Sequence, residues 1–157
     1  MDRIKINFVC HGNICRSPVA EYVFRKYAED ARIDAEVCSR ATHTDEIWNG
    51  VGSHIYPPMK ALLEADGIEC DDKRAQLLHK SDYDNFDLFL GMDSENVACM
   101  RRLFDGDKKG KVKLLSEYAE SFKGEIEDPW YTRNFQKVYN QICEGCRGLT
   151  EVIRHEQ

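Results

Sequence analysis

One segment of this 157-residue chain concentrates side chains that could do chemistry: Cys10-His11-Gly12-Asn13-Ile14-Cys15-Arg16-Ser17. It sets a thiol ahead of a guanidinium, with a hydroxyl next to the guanidinium. A loop that curls around one point turns successive backbone N–H groups toward it, and a following helix adds the partial positive charge of its N-terminus. Arg16 can give two parallel hydrogen bonds to two oxygens of a phosphate. The product is a cradle for a tetrahedral dianion. The same field is expected to lower the pKa of Cys10, which then stands as a thiolate and is the nucleophile. Ser17 can donate to that sulfur. Gly12 is expected to take a positive φ, and Asn13, the next best residue for such backbone, can pin the loop through its amide.

The elements around this loop must hold it. Ile4, Ile6, Phe8 and Val9 read as a short strand that ends at the loop. Ser17 followed by Pro18 reads as a helix start, with serine as N-cap and proline at the first helical position. The helix then runs through Val19, Tyr22, Val23 and Tyr27. Residues 35–38 form a second strand. Residues 57–66 form a helix with Ala61, Leu62 and Ala65 on one face and Gly67 as its stop. Residues 87–92 are nearly all apolar, as in a strand covered on both faces. A helix over 94–104 and a fourth strand over 112–115 follow. Phe135, Val138, Tyr139, Ile142, Cys146, Leu149, Val152 and Ile153 mark a long last helix. This alternation predicts an α/β fold: residues 1–157 as one domain, a four-stranded parallel sheet with helices on both faces. Ligands of such sheets bind beyond the carboxyl ends of the strands, where the Cys10 loop lies.

Composition narrows the function classes. With 22 Lys+Arg against 28 Asp+Glu the net charge is −6, which excludes a dedicated nucleic-acid or anionic-membrane binder. Seven cysteines, an odd number scattered over the chain, do not read as a disulfide framework. The charged N-terminus lacks an apolar leader core and no stretch suits a membrane span, so a reducing cytoplasm is expected. Cys143 and Cys146 form a C-x-x-C pair inside the last helix without a second ligand pair, which reads as packing rather than a metal site. Cys38, Cys70 and Cys99 read as structural, and Lys108-Lys109-Gly110-Lys111 as a solvated loop.

CHGNICRSP, MDSEN at residues 92–96 and DPWY at residues 128–131 resemble the low-molecular-weight protein tyrosine phosphatase family over nearly the whole chain. The resemblance implies a phosphatase free of metal and cofactor. It would act, as a monomer, on phosphotyrosine in proteins or peptides through a phosphocysteine intermediate, with inorganic phosphate as product. Cys10 would be the nucleophile, Arg16 the phosphate and transition-state binder, Ser17 the thiolate's support, Asn13 the holder of the loop and Asp128 the general acid. Cys15 would be the family's second loop cysteine, able to form a reversible disulfide with Cys10. Read forwards, the chemistry agrees: an aryl oxygen leaves better when protonated, and Pro129 stiffens the backbone of Asp128. Glu125 and Glu127 would raise the Asp128 pKa by like-charge repulsion.

Trp130 and Tyr131 either wall a slot for a flat phenyl ring or pack in the core. Asp45, Glu46 and Trp48 lie in the segment resembling the opposite wall, with Asp45 where the family often carries an aromatic residue and Trp48 close enough to compensate. A histidine that braces the family's loop has no counterpart in residues 70–74, where Asp72 stands instead, and Ser39 is expected to brace the loop. His11, next to the nucleophile, either contacts substrate or is exposed without a role. Gly12, Ile14 and Cys15 complete the expected substrate cradle. Two other readings stay open. One is the phosphoarginine phosphatase branch of the fold, which carries threonine where this chain has Ile14. The other is a non-catalytic phospho-ligand or redox-sensing module, against which Asp128 argues, because binding needs no general acid. Thiol-coupled arsenate reductases share the loop but need a later pair of shuttling cysteines a few residues apart, whereas Cys70 and Cys99 are 29 apart.

Overall fold

A computed structural model describes residues 3–70 and 72–156. Its chain order begins with β1 (Ile4–Cys10), α1 (Arg16–Asp30) and β2 (Ala35–Ala41), then a small hairpin of β3 (Ile47–Trp48) and β4 (Val51–Gly52). The chain continues through α2 (Pro57–Ala65), β5 (Leu88–Gly91), α3 (Ser94–Leu103), β6 (Val112–Leu114), α4 (Pro129–Thr132) and α5 (Phe135–Glu156). Two 3-10 turns, Lys80–Asn85 and Leu115–Tyr118, join these elements.

Four strands form a parallel sheet in the order β2-β1-β5-β6. The chain leaves β1 toward β2 on one side, and β5 then pairs on the other side of β1. The carboxyl ends of β1 and β5 therefore flank a switch point, where the loops diverge and leave a crevice. Ile6 and Phe8 face one core with α1, α2 and α5, whereas Val9 and Phe89 face a second core with α3. With both faces covered, β1 is buried from Ile6 to Cys10, which is why its sequence shows little alternation.

Several local expectations change. Helix α1 begins at Arg16 with Cys15 as its N-cap, and no side chain caps it, so Ser17 lies inside the first turn. Pro18 is tolerated there because an amide in the first turn has no intrahelical acceptor. On α2 the buried residues are Met59 and Leu63, not Ala61 and Ala65, which are exposed. On α5, Val152 faces solvent, while Gly145 and Thr150 join the buried stripe. Glycine is needed at 145 and 148: a Cβ at Gly148 would lie 1.7 Å from the Tyr118 carbonyl oxygen, and one at Gly145 would lie 2.7 Å from Leu115 Cγ. The Leu115–Tyr118 turn thus sits directly on α5. Residues 108–110 are exposed, but Lys111 is half-buried; its Nζ donates to the Tyr83 carbonyl at 2.6 Å and lies 4.7 Å from the centre of that ring. The hairpin β3–β4 and the short helix α4 have no counterpart in the sequence reading.

Candidate active site

The loop from Cys10 to Arg16 closes around the Cys10 sulfur. Sγ accepts from the backbone N–H of Asn13 at 3.3 Å and of Ser17 at 3.4 Å, and Ser17 Oγ lies 3.0 Å away. The uncapped start of α1 supplies one of these donors, so the missing side-chain cap leaves a helix amide free for the sulfur. The neighbouring bonds settle the direction of the Ser17 contact. Asn13 Nδ2 donates to Ser17 Oγ at 2.9 Å and to Ser39 Oγ at 2.9 Å, which leaves the Ser17 hydroxyl proton to point at Cys10. Ser39 in turn donates to Glu21 Oε1 at 2.5 Å, and Arg25 holds the other oxygen of Glu21 at 2.7 Å. A continuous polar chain therefore runs from Arg25 at the surface through Glu21, Ser39, Asn13 and Ser17 to the thiol.

The left-handed residue is Asn13, with φ 60°; Gly12 is not in that region. Asn13 tolerates this backbone because its short amide bonds locally, here also accepting from Gln76 N at 3.0 Å. Ser39 thus braces the loop through Asn13, as expected, with Gln76 as a second brace that the sequence did not signal. Of residues 70–74, Asp71 lies outside the described residues, Asp72 lies 3.1 Å from His54, and Lys73 Nζ donates to the Ser39 carbonyl at 3.2 Å. Burial holds the Lys73 ammonium below its ordinary pKa, against the pull of Glu21.

Arg16 is 2% exposed. Its Nη1 donates to Asp93 Oδ2 at 2.8 Å and to the Ile126 carbonyl at 2.9 Å, which commits both protons of that nitrogen. Nη2, 3.6 Å from Asp128 Oδ2, is left for a ligand. Burial pulls the guanidinium pKa down, but the Cys10 sulfur, Asp93 and Asp128 outweigh it and the net shift is upward. Asp93 does two jobs: its Oδ1 caps α3 by accepting from Asn96 N at 2.8 Å, while Oδ2 orients Arg16. In the sequence Asp93 stands only within MDSEN, and its D-x-x-N capping box is the signal that points to it.

Asp128 divides its oxygens as well. Oδ1 accepts from Trp130 N at 3.0 Å, and Oδ2 faces Arg16. Glu125 and Glu127, the two acidic neighbours in sequence, bond to other groups. Glu125 accepts from Ser94, and Glu127 accepts from Lys137 Nζ at 2.7 Å and from Asn134 Nδ2 at 3.0 Å. These bonds bring the Glu127 carboxyl down to about 2, chiefly through Lys137.

The cleft over the sulfur is lined by Cys10, His11, Gly12, Ile14, Cys15 and Arg16 on its floor and by Asp128, Trp130 and Tyr131 on one wall. Asp45 and Glu46 stand opposite. Trp130 is half-exposed and packs on Tyr56 with ring centres 5.0 Å apart; Tyr131 is exposed. Both are at the cleft, and core packing does not account for them. Trp48 does not line the cleft; it sits on β3 at 72% exposure. On the β3–β4 ladder Trp48 pairs with exposed Val51 while its neighbour Ile47 pairs with buried Gly52, so strand alternation turns Trp48 to solvent and Asp45 and Glu46 form the wall instead. Asn13 and Ser17 also stay off the lining, behind the sulfur. His11 has a partner: Nε2 lies 2.7 Å from Asp45 Oδ2. Cys15 is buried and its thiol is pushed up, first by burial and then by the charges of Cys10 and Asp128. Burial likewise raises Cys38, to about 11, and Cys146. Among the described residues no helix is long and apolar enough to cross a membrane.

The comparisons with known proteins agree with this geometry. The family model described as "Low molecular weight phosphotyrosine protein phosphatase" matches residues 5–157. A relative named low molecular weight protein-tyrosine-phosphatase YfkJ, from Bacillus subtilis, is 32% identical over 155 residues, 98% of each chain. PtpA of Staphylococcus saprophyticus, which carries the same family name, is 34% identical over 151 residues, covering 96% of this chain and 94% of its own. The crystal structure of YfkJ from Bacillus subtilis superposes with a TM-score of 0.91 at 31% identity, covering 100% of this chain and 98% of the other. A structure described as low molecular weight protein tyrosine phosphatase from Streptococcus pyogenes gives 0.82 at 30% identity, covering 98% of this chain and 99% of its own. With the loop, the sheet order and the late Asp-Pro all in place, the chain belongs to the low-molecular-weight protein tyrosine phosphatase family.

Proposed function

We propose that this chain hydrolyses phosphotyrosine monoesters in proteins by two phosphoryl transfers at Cys10. In the first, the Cys10 sulfur attacks phosphorus in line with the aryl oxygen. The S–P bond forms as the P–O bond breaks, and Asp128 Oδ2 delivers a proton to the departing phenol. In the second, Asp128, now a carboxylate, takes a proton from water. That water attacks phosphorus, releasing inorganic phosphate and returning the electron pair to sulfur.

Loop amides and Arg16 Nη2 hold the equatorial oxygens, where charge is spread in the transition state. The Ser17 proton supports the sulfur both as nucleophile and as leaving group. The carrying observation is the convergence on one sulfur of three donors, with Arg16 Nη2 and Asp128 Oδ2 3.6 Å apart beside it. Trp130 and Tyr131 provide faces for a phenyl ring, which phosphotyrosine has and phosphoserine lacks.

Side chains carry every step, so turnover of an aryl phosphate is expected to survive a chelator and to vanish in Cys10→Ser. Chelator-sensitive turnover, or turnover retained by that variant, would overturn the mechanism. The reversible Cys10–Cys15 disulfide that the family resemblance implies has its own test: peroxide followed by a reductant is expected to inactivate and then restore the enzyme.

A further inference from the structure

The His11–Asp45 contact belongs to a larger group that the reaction above leaves unused. His43, just after β2, stacks on His11 with ring centres 4.0 Å apart and planes 12° apart. Glu95, in the first turn of α3, places Oε1 4.0 Å from His11 Nδ1. One ligating atom each from His11, His43 and Glu95 lies within 4.8 Å of the other two. We propose that these three side chains form an inhibitory site for zinc or a similar imidazole-preferring divalent cation at the rim of the cleft.

The surrounding bonds set both rings for this task. The Asp45 carboxylate can only accept, so His11 carries its proton on Nε2 and leaves the Nδ1 lone pair facing Glu95. A carboxylate behind a ligating imidazole is the arrangement that fixes tautomer and raises ligand basicity in zinc sites. His43 has Thr42 Oγ1 2.7 Å from its Nδ1. With the proton on Nδ1 and donated to Thr42, Nε2 is the free ligand. Backbone bonds lock the two loops together, since His43 N donates to the His11 carbonyl at 3.1 Å and Thr42 N to that of Cys10 at 3.0 Å.

Tetrahedral zinc, with ligands at about 2.0–2.2 Å, needs ligating atoms about 3.4 Å apart. Closing from 4.8 Å requires rotation of the exposed Glu95 and unstacking of His11 and His43, whose nearly parallel planes must turn until their in-plane lone pairs meet at one ion. Two imidazoles and one carboxylate leave the fourth position to water, and Asp45 and Glu46 make the rim acidic enough to attract a cation. The ligands come from the loop after β1, the segment after β2 and the first turn of α3, which only the fold brings together. Because His11 lines the cleft, the bound ion and its water narrow the entrance above Cys10. Inhibition competitive with an aryl phosphate follows, a consequence that rests on the phosphatase reading; binding itself does not.

Titration calorimetry of Cys10→Ser with zinc chloride separates the site from the thiolate, itself a zinc ligand. One zinc per chain is expected, weakened at least tenfold by adding His43→Gln or Glu95→Gln, with magnesium giving no heat. Cobalt in place of zinc should give visible d–d bands without sulfur charge transfer. In the chain with Cys10 intact, zinc should inhibit reversibly. His43→Gln and Glu95→Gln should turn over normally without zinc but need at least tenfold more zinc for half-inhibition. Zinc binding that is unaffected by both substitutions, or equal inhibition of all three proteins, overturns the proposal. An inactive protein that still binds zinc through His43 would sink the phosphatase reading and leave the metal site standing.

Discussion

Asn13→Ala strikes the residue on which the nucleophile's environment is hung. The substitution removes two donated bonds, to Ser17 and Ser39, and one accepted from Gln76. At about 1 kcal/mol net for each bond the loss is about 3 kcal/mol. Alanine at a φ of 60° has no local amide bond to compensate the crowding of its Cβ, adding about 1 kcal/mol. A melting point falls by about 2–4 °C per kcal/mol for a chain of this size, so a drop of about 8–16 °C is expected by calorimetry. Activity should fall further than stability alone explains. Without Asn13 Nδ2 the Ser17 hydroxyl is free to turn away from Cys10, and losing a hydrogen bond to a charged sulfur corresponds to a kcat decrease of about 10- to 100-fold. Ser39→Ala, which removes one bond from Asn13 and one to Glu21 but leaves Asn13 bonded to Ser17 and Gln76, should show a smaller loss of both. If Asn13→Ala melts within about 2 °C of the parent and keeps kcat within threefold, the polar chain from Arg25 to Cys10 is not what positions the thiol.

Asp128→Asn should lower kcat by about 10²–10⁴-fold while phosphate still binds within a few-fold, measured by competitive inhibition; equal loss of both would make Asp128 a structural residue. Ile14 should leave phosphotyrosine peptides strongly preferred over phosphoarginine peptides, and comparable rates on the two would refute that specificity. Because folding lowers the Glu127 carboxyl from 4.5 to about 2, its ion pair with Lys137 stabilises the fold fully above pH 4.5 and loses that contribution as pH falls toward 2. The difference in denaturation midpoint between the parent and Glu127→Gln should therefore shrink between pH 6 and pH 2, and a constant difference would remove the ion pair from the explanation. Gly148→Ala drives a methyl group onto the Tyr118 carbonyl and should cost about 1–3 kcal/mol or more, read as a lower melting temperature with kcat of the surviving fold unchanged.

The sequence by itself determined the chemistry of the loop and the order of the elements. Cys10, Arg16 and Ser17 follow one another so closely that their roles are local: a strand end, a tight turn and a helix start leave few ways to arrange them. The apolar run at β5 and the stripe along α5 fixed strand and helix because burial on a sheet or helix face imposes a period on the chain. Only the tertiary structure decided which side chains lean on that loop. Ser39, Gln76 and Asp93 sit on three different segments, with Glu21 behind Ser39, and their bonds to the loop arise from parallel strand register and the switch point between β1 and β5. The same crossing turned Asp45 and Glu46 into the cleft and left Trp48 outside. It also drew Glu125 and Glu127 to partners other than Asp128, and stacked His43 on His11. No spacing along the chain encodes such meetings, because hydrogen bonds between distant segments depend on where the sheet delivers each backbone rather than on neighbouring residues.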